Sequence, residues 1–196
     1  MKKKWIIIAV VVLVILLLFS SVKGTYNNMV TKSESVSKQW ADVENQYQRR
    51  ADLIPNLVST VKGYASHEQE TLTGVIEARN QATKVNINPE QMNAASLQQF
   101  QEAQSGLSSA LSRLMVVVER YPDLKANENF KDLQSQLEGT ENRIATERRR
   151  FNESARDYNT FIKQFPKNIY ASIFNFDEKV YFEAEKASKE VPKVEF

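Results

Sequence analysis

The first part of the chain is one uninterrupted apolar run. Residues 5–22 contain no charged side chain, whereas lysines occupy positions 2–4 and 23. A helix needs roughly 20 apolar residues to cross the hydrocarbon core of a bilayer, so this run is just long enough. The pattern predicts a transmembrane helix over residues 5–22, preceded by a short tail over residues 1–4.

A cleaved signal peptide is the alternative for this run. The apolar region of a signal peptide usually has about 7–15 residues and ends at a small-residue cleavage site. Here the run is longer, and Val22-Lys23-Gly24 matches such a site poorly. A helical pattern also begins almost at once, at Tyr26. These features favour a retained anchor.

From Tyr26 onwards, apolar residues recur at spacings of three and four, which is typical of a helix with one apolar stripe. The stripe consists of Tyr26, Met29, Val36, Trp40, Val43, Tyr47, Ile54, Leu57, Val61 and Tyr64. Only Ser33 and Arg50 interrupt it. The pattern predicts a helix from about Val30 to Lys62 that continues out of the anchor.

Pro55 lies inside this predicted helix. A proline removes one backbone hydrogen bond and clashes with the carbonyl four residues earlier, here that of Ala51, at a cost of about 3 kcal/mol. The apolar stripe nevertheless keeps its phase beyond Pro55. The sequence therefore predicts a kink at this position and not the end of the helix.

Three more helices follow in the pattern, over about His67–Val85, about Met92–Arg120 and from Asn127, a good N-cap, to about Phe165. Gly63 and a capping box of Ser66 with Gln69 are expected to separate the first two helices. One long bent helix is the alternative, because the phase persists. Four helices with short connections predict an all-α fold, an antiparallel up-and-down four-helix bundle over residues 26–166.

After Pro166 the chain becomes rich in aromatic residues without a clear period. Those in the segment 167–183 are Tyr170, Phe174, Phe176, Tyr181 and Phe182. We expect this segment to pack on the bundle as a short helix or irregular stretch, because aromatic residues mostly serve cores and interfaces. A docking patch for a partner protein is the alternative. The charged residues 184–196 are expected to be a disordered tail.

The charge balance argues against a nucleic-acid partner. Of 26 basic residues four lie within the first 23, so residues 24–196 carry 22 bases against 24 acids. A domain with a net charge near −2 lacks the basic surface that nucleic acid requires. The lysines before the apolar run place the N-terminus in the cytoplasm and the bundle outside it, by the positive-inside rule.

The best candidate for a polar site is the block from Arg49 to Asn56. It contains Arg49, Arg50, Asp52, Pro55 and Asn56, and a buried arginine there would need acidic partners. Such partners on other helices could be Glu119, Glu138 or Glu141, and Arg143 belongs to the same set. One interpretation is a structural network beside the kink, and the other is a ligand pocket that the kink opens.

The sequence offers little evidence for a metal site or a catalytic site. The absence of cysteine excludes disulfides, thiol nucleophiles and cysteine metal sites. His67 is the only histidine and lacks the partners of a zinc or di-iron motif, so we predict no metal and no cofactor. Arg148, Arg149 and Arg150 fan over roughly 200° of a helix and are not expected to face one ligand. Acid–base catalysis by Glu138 and Glu141 is a minor hypothesis.

Several sequence blocks resemble the LemA family. They are RRADLIPNLV at 49–58, VKGY at 61–64, HE at 67–68, YPDLKAN at 121–127, LEGTENRIA at 137–145, FPKN at 165–168 and FE at 182–183. One departure is Phe151, where the family usually has tyrosine. The resemblance implies a bacterial single-pass membrane protein with a four-helix bundle. It implies no settled activity and no catalytic residues.

These observations favour a non-enzymatic, membrane-anchored module of the bacterial cell envelope that binds other envelope proteins. A ligand sensor with a pocket near Pro55 is the main alternative. An oligomerising scaffold that shapes the membrane is another. Because the apolar run lacks a G-x-x-x-G motif, any self-association would come from the bundle.

Overall fold

A computed structural model describes residues 2–183, and the predicted disordered tail lies outside this range. All regular structure within the described range is α-helical. The helices are α1 (Lys2–Tyr64), α2 (Gln69–Lys84), α3 (Ala94–Val118), α4 (Pro122–Ala126), α5 (Glu128–Lys163) and α6 (Lys167–Ile173). The all-α class predicted from the sequence is thus observed.

Helix α1 has an unpacked first part and a packed second part. Its 63 residues span about 95 Å at a rise of 1.5 Å per residue. Every side chain from residue 3 to residue 21 is exposed, and Val22 is the first to be half-buried. Packing against the rest of the protein therefore begins where the apolar run ends. This is the one helix in the described chain that is long and apolar enough to cross a membrane.

The long helices pack in antiparallel pairs. Helix α5 runs opposite to α1, since Ser154 contacts Ser35 near one end and Phe130 shares a core with Val61 near the other. Helix α2 runs opposite to α3, and the Gln104 side chain reaches the carbonyl of Ala82. Asn127 caps α5 by accepting a hydrogen bond from the backbone of Phe130, which confirms the predicted N-cap.

The apolar core consists of two clusters at different heights along α1. The Leu107 cluster contains residues of α1, α2, α3 and α5. It includes Ile54, Leu57, Leu72, Val75, Leu107 and Leu114. The Trp40 cluster includes Met29, Trp40, Phe100, Phe151, Tyr158 and Phe182. Helix α2 does not extend to the Trp40 cluster, where Phe182 from the C-terminal segment is buried instead.

The helix boundaries differ from the predictions at a few ends. Helices α1 and α2 are separate, so the single bent helix is wrong. The predicted capping box at Ser66 is also wrong, because the turn extends to Glu68 and α2 begins at Gln69. The Gln69 side chain donates to the Ser66 carbonyl, not to a helix N-terminus. At α3 the capping box is formed instead by Asn93 with Ser96.

Candidate functional site

Arg50 is a buried cation at the boundary between the two core clusters. It occupies a position in the apolar stripe of α1, and only 2 % of its surface is exposed. Its Nη1 donates to Glu141 Oε1 on α5 at 2.6 Å and to Ser108 Oγ on α3 at 3.1 Å. Its guanidinium also lies 5.1 Å from the centre of the Tyr47 ring. Arg50 therefore ties α1 to two other long helices.

Gln104 extends this network to the remaining long helix. Its Oε1 accepts a hydrogen bond from Arg50 Nη2 at 2.6 Å, and its Nε2 donates to the Ala82 carbonyl at the end of α2. Gln104 is itself buried. One arginine and one glutamine thus connect α1, α2, α3 and α5 at a single height. A charge-assisted network of this kind fixes the register between helices.

The other members of the predicted polar set do not meet Arg50. Arg49, Asp52, Asn56, Glu138 and Arg143 are all exposed. Two of them form bonds within their own helix: Gln48 donates to Asp52, and Gln134 donates to Glu138. Only Glu141 joins the arginine, and about half of its side chain remains open to solvent. Within the block from Arg49 to Asn56, only Arg50 therefore takes part in the network that links the helices.

The backbone at Pro55 is satisfied by a side chain from α2. Helix α1 continues through Pro55, which has no N–H to offer the carbonyl of Ala51. Arg79 Nε donates to that carbonyl at 3.2 Å. The group that the proline leaves without a backbone donor is therefore bonded within the protein. This contact gives no support to a ligand pocket at Pro55.

We expect Arg79→Ala to lower the free energy of unfolding by about 1–3 kcal/mol, the usual cost of leaving a buried backbone acceptor unsatisfied. In a Pro55→Ala background residue 55 regains its N–H and can bond to Ala51. The same Arg79 substitution should then cost less than half as much. Chemical denaturation in detergent micelles measures both values, with Trp40 as the fluorescent reporter in chains that carry Trp5→Phe. Equal costs in the two backgrounds would contradict this role for Arg79.

Comparison with known proteins settles the family. The LemA family model matches residues 39–196, which include the Arg50 network and the aromatic segment. The chain belongs to the LemA family.

Named relatives of this LemA-family chain include magnetosome proteins. MamQ 2 of Paramagnetospirillum magneticum is 30% identical over 186 residues, covering 85% of this chain and 67% of the relative. MamQ of Magnetospirillum gryphiswaldense is 28% identical over 184 residues with the same coverage. Protein LemA of Metamycoplasma hominis is 21% identical over 161 residues, covering 82% of this chain and 70% of that protein.

The aromatic segment of the LemA-family chain is divided between core and surface. Phe182 is buried, stacks on Trp40 at 5.9 Å and meets the edge of Phe151. Phe174 and Phe176 contact Tyr26. Tyr170 packs against the Trp40 cluster, whereas Tyr181 is exposed. The ring of Phe182 is therefore part of the core and is not presented to a partner.

Two asparagines on α5 hold the backbone of this segment. Asn159 accepts a hydrogen bond from the Lys179 N–H and donates to its carbonyl. Asn152 makes the same pair of bonds with Phe182. The two asparagines are seven residues apart, so they lie on one face of α5. The sequence analysis did not predict that Asn152 and Asn159 bind the backbone of this segment. Their spacing of seven residues on a packed helix does indicate two polar side chains on one face.

A hollow of about 620 Å³ lies beside this segment. It is lined by Arg148, Arg149, Asn152, Glu153, Arg156, Tyr181, Phe182 and Glu183. Arg150 does not line this hollow, as expected for three consecutive helical positions, whereas Arg148 and Arg149 share its surface. Their long side chains bridge the 100° between successive helical positions. Arg150 instead bonds to Glu147, and Arg148 lies 4.8 Å from the Phe182 ring centre.

Burial shifts two pKa values near the Trp40 cluster. It raises the pKa of Tyr158 to about 12, and the Asp177 carboxylate adds to the shift. The Tyr158 hydroxyl donates to the Asp177 carbonyl. Burial also raises the pKa of Glu44, which the Trp40 indole partly offsets. Tyr158 belongs to the Trp40 cluster, and Glu44 is half-buried. His67 lies exposed in the turn after α1.

Proposed function

We propose that this chain is a single-pass membrane protein of the bacterial cell envelope, with a non-enzymatic interaction module held outside the cytoplasm. The observation that carries the proposal is the apolar start of α1. Its side chains are exposed along the whole run and become packed only at Val22. Such a length of apolar helix is stable in a bilayer and costly in water.

The module in this proposal is an antiparallel four-helix bundle of α1, α2, α3 and α5. Residues 26–166 form the bundle, residues 5–22 the span and residues 167–183 the segment that completes the Trp40 cluster. The family match and the magnetosome proteins among its relatives are consistent with a membrane-associated module.

Membrane topology can be tested with single cysteines, because the natural chain has none. We expect a membrane-impermeant maleimide to label Ser135→Cys on intact cells, since Ser135 is exposed on α5. Lys3→Cys, on the other side of the span, should react only after the cells are lysed. The opposite labelling pattern would place the bundle in the cytoplasm. Release of the protein by alkaline carbonate would contradict the anchor.

The carboxylates offer weak support for catalysis. Glu141 is engaged by Arg50, and Glu138 is exposed on α5 beside Gln134. Neither carboxylate has a histidine or a buried acid as a neighbour in the bonds described above. A general acid–base pair would need a cleft and a tuned environment for both groups. The contacts therefore favour an interaction role.

The hollow beside α5 is the proposed contact surface for an envelope protein. Tyrosine and arginine are the residue types that contribute most at interfaces, and Arg149, Arg156 and Tyr181 lie there together. The three arginines outnumber the two glutamates Glu153 and Glu183, which favours an acidic partner segment.

A photo-cross-linking amino acid at Arg149 should capture a specific envelope protein in intact membranes. The matched control is the same amino acid at Val116, an exposed residue on α3. Mass spectrometry identifies what is linked. Links between two copies of this chain would instead support self-association. The same products from both positions would contradict a partner surface at the hollow.

A further inference from the structure

A small apolar patch remains exposed at one end of the bundle. It consists of Phe165, Ile169, Ile173 and Phe174, which we call the α6 patch, and Phe165 is 81 % exposed. Ile169 and Ile173 are four residues apart and therefore share one face of α6. Tyr158 and Phe161 near this end are buried or half-buried, whereas these four apolar side chains stay exposed, so the patch needs a separate explanation.

The α6 patch lies at the height where α1 leaves the apolar run. The ring of Phe174 is 5.1 Å from that of Tyr26. Tyr26 is four residues beyond Val22, which is about 6 Å along the helix. The interfacial layer of a bilayer is roughly 5–7 Å thick on each side of the hydrocarbon core. Phe174 is therefore placed at the depth of this layer.

The register of α5 places the start of the patch at the same height. Ser154 contacts Ser35, and the two helices run in opposite directions. Advancing nine residues along α5 and going back nine along α1 brings Lys163 level with Tyr26. Phe165 lies in the turn two residues after Lys163, where α5 ends, and is therefore near this height.

The side chains around the patch suit the surface of a membrane. Aromatic rings and lysines are enriched at this depth, and lysines attract anionic lipids. Lys167 lies over the Phe161 ring at 3.9 Å, and Lys23 is exposed on α1. The acidic Glu178 is paired with Lys163. The basic groups at this end are thus not outweighed by unpaired acids.

We propose that the α6 patch inserts into the interfacial layer of the same bilayer that holds residues 5–22. The inference rests on the proposed membrane anchor. Because α1 is continuous, the bilayer is held against the patch and no diffusing partner has to find it. A second point of contact beside the span would fix the orientation of the bundle relative to the membrane.

Fluorescence quenching in liposomes tests this insertion with the full-length chain. Single cysteines at Ile173, Leu16 and Val116 are labelled with an environment-sensitive dye and reconstituted into phosphatidylcholine–phosphatidylglycerol vesicles. The vesicles contain lipids with a nitroxide either near the headgroup or deep in the acyl chain. Ile173 and Val116 are both exposed apolar residues, at 64 % and 71 %. The two residues differ in their distance from the apolar run. Val116 is near the end of α3, which lies by the turn that follows α1, roughly 50 Å or more from Val22.

We expect shallow nitroxides to reduce the fluorescence at Ile173 about twofold, as for a residue buried at the headgroup boundary. Deep nitroxides should quench Leu16, and neither should affect Val116. Quenching at Leu16 with Ile173 behaving like Val116 would overturn the inference and leave the anchor intact. An unquenched Leu16 would overturn the anchor itself.

A charged substitution provides a second variant. In a chain labelled at Phe165→Cys, Ile173→Asp should abolish most of the shallow quenching, because an aspartate resists insertion. Val116→Asp in the same labelled chain should leave it unchanged. Circular dichroism confirms that each variant keeps its helical content. Equal quenching with and without Ile173→Asp would show that the label at position 165 reaches the lipid without insertion of the patch, which would contradict the inference.

Discussion

Replacing Arg50 by alanine is expected to lower the free energy of unfolding by about 3–5 kcal/mol, the combined cost of a core cavity and of an unsatisfied buried amide. The substitution removes a fully buried side chain and leaves a cavity between the two core clusters. It also takes a donor from Gln104 Oε1 and from Glu141. Glu141 can turn to solvent, whereas buried Gln104 cannot, so most of the cost arises at Gln104.

The matched control is Arg49→Ala, which removes the same side chain from the adjacent, exposed position. Its effect should stay within about 0.5 kcal/mol, as for most surface substitutions. Chemical denaturation of the full chain in detergent micelles measures both variants, with Trp40 as the fluorescent reporter in a Trp5→Phe background. Similar small losses at Arg49 and Arg50 would contradict the structural role of the network. Loss of partner binding without loss of stability would favour the pocket hypothesis.

The sequence showed that Arg50 was unusual but not which residues would accept its hydrogen bonds. Its place in the apolar stripe indicated burial, and the three candidate carboxylates included the observed partner Glu141. Gln104 was overlooked because a glutamine is ordinary on a helix surface. It does lie in register between Phe100 and Leu107, four and three residues away, which is a core position. A polar residue at a position of the apolar stripe indicated the burial of Arg50, and the same criterion indicates the burial of Gln104.

The predicted helices were largely observed because helical periodicity is a strong local signal. The C-terminal segment gave no such signal. Residues 174–183 contain no helix, and their place is set by hydrogen bonds to Asn152 and Asn159 on a distant part of the chain. Spacing within the segment carries no information about such contacts. The sequence could therefore predict that the aromatic residues pack against the helices, but not that Phe182 is the one buried beside Trp40.

This position of Phe182 leads to the second large effect. Phe182→Ala should lower the free energy of unfolding by about 3–5 kcal/mol, the usual range for a buried phenylalanine. The ring contacts Trp40 and Phe151 and lies under Arg148, so its loss opens a cavity within the Trp40 cluster. In a Trp5→Phe background, Trp40 fluorescence should shift to longer wavelength in the folded protein, because water can then reach the indole.

Phe165→Ala is the matched control, since it removes the same side chain from a highly exposed site. In micelles it should change stability by no more than about 0.5 kcal/mol. The two phenylalanines separate the two interpretations of the aromatic segment, because a core residue affects stability and a docking residue affects binding. If Phe182→Ala left stability and Trp40 emission unchanged but abolished a cross-link to an envelope protein, the segment would be a docking site. A loss of stability confined to Phe182 would show that this end of the segment completes the core.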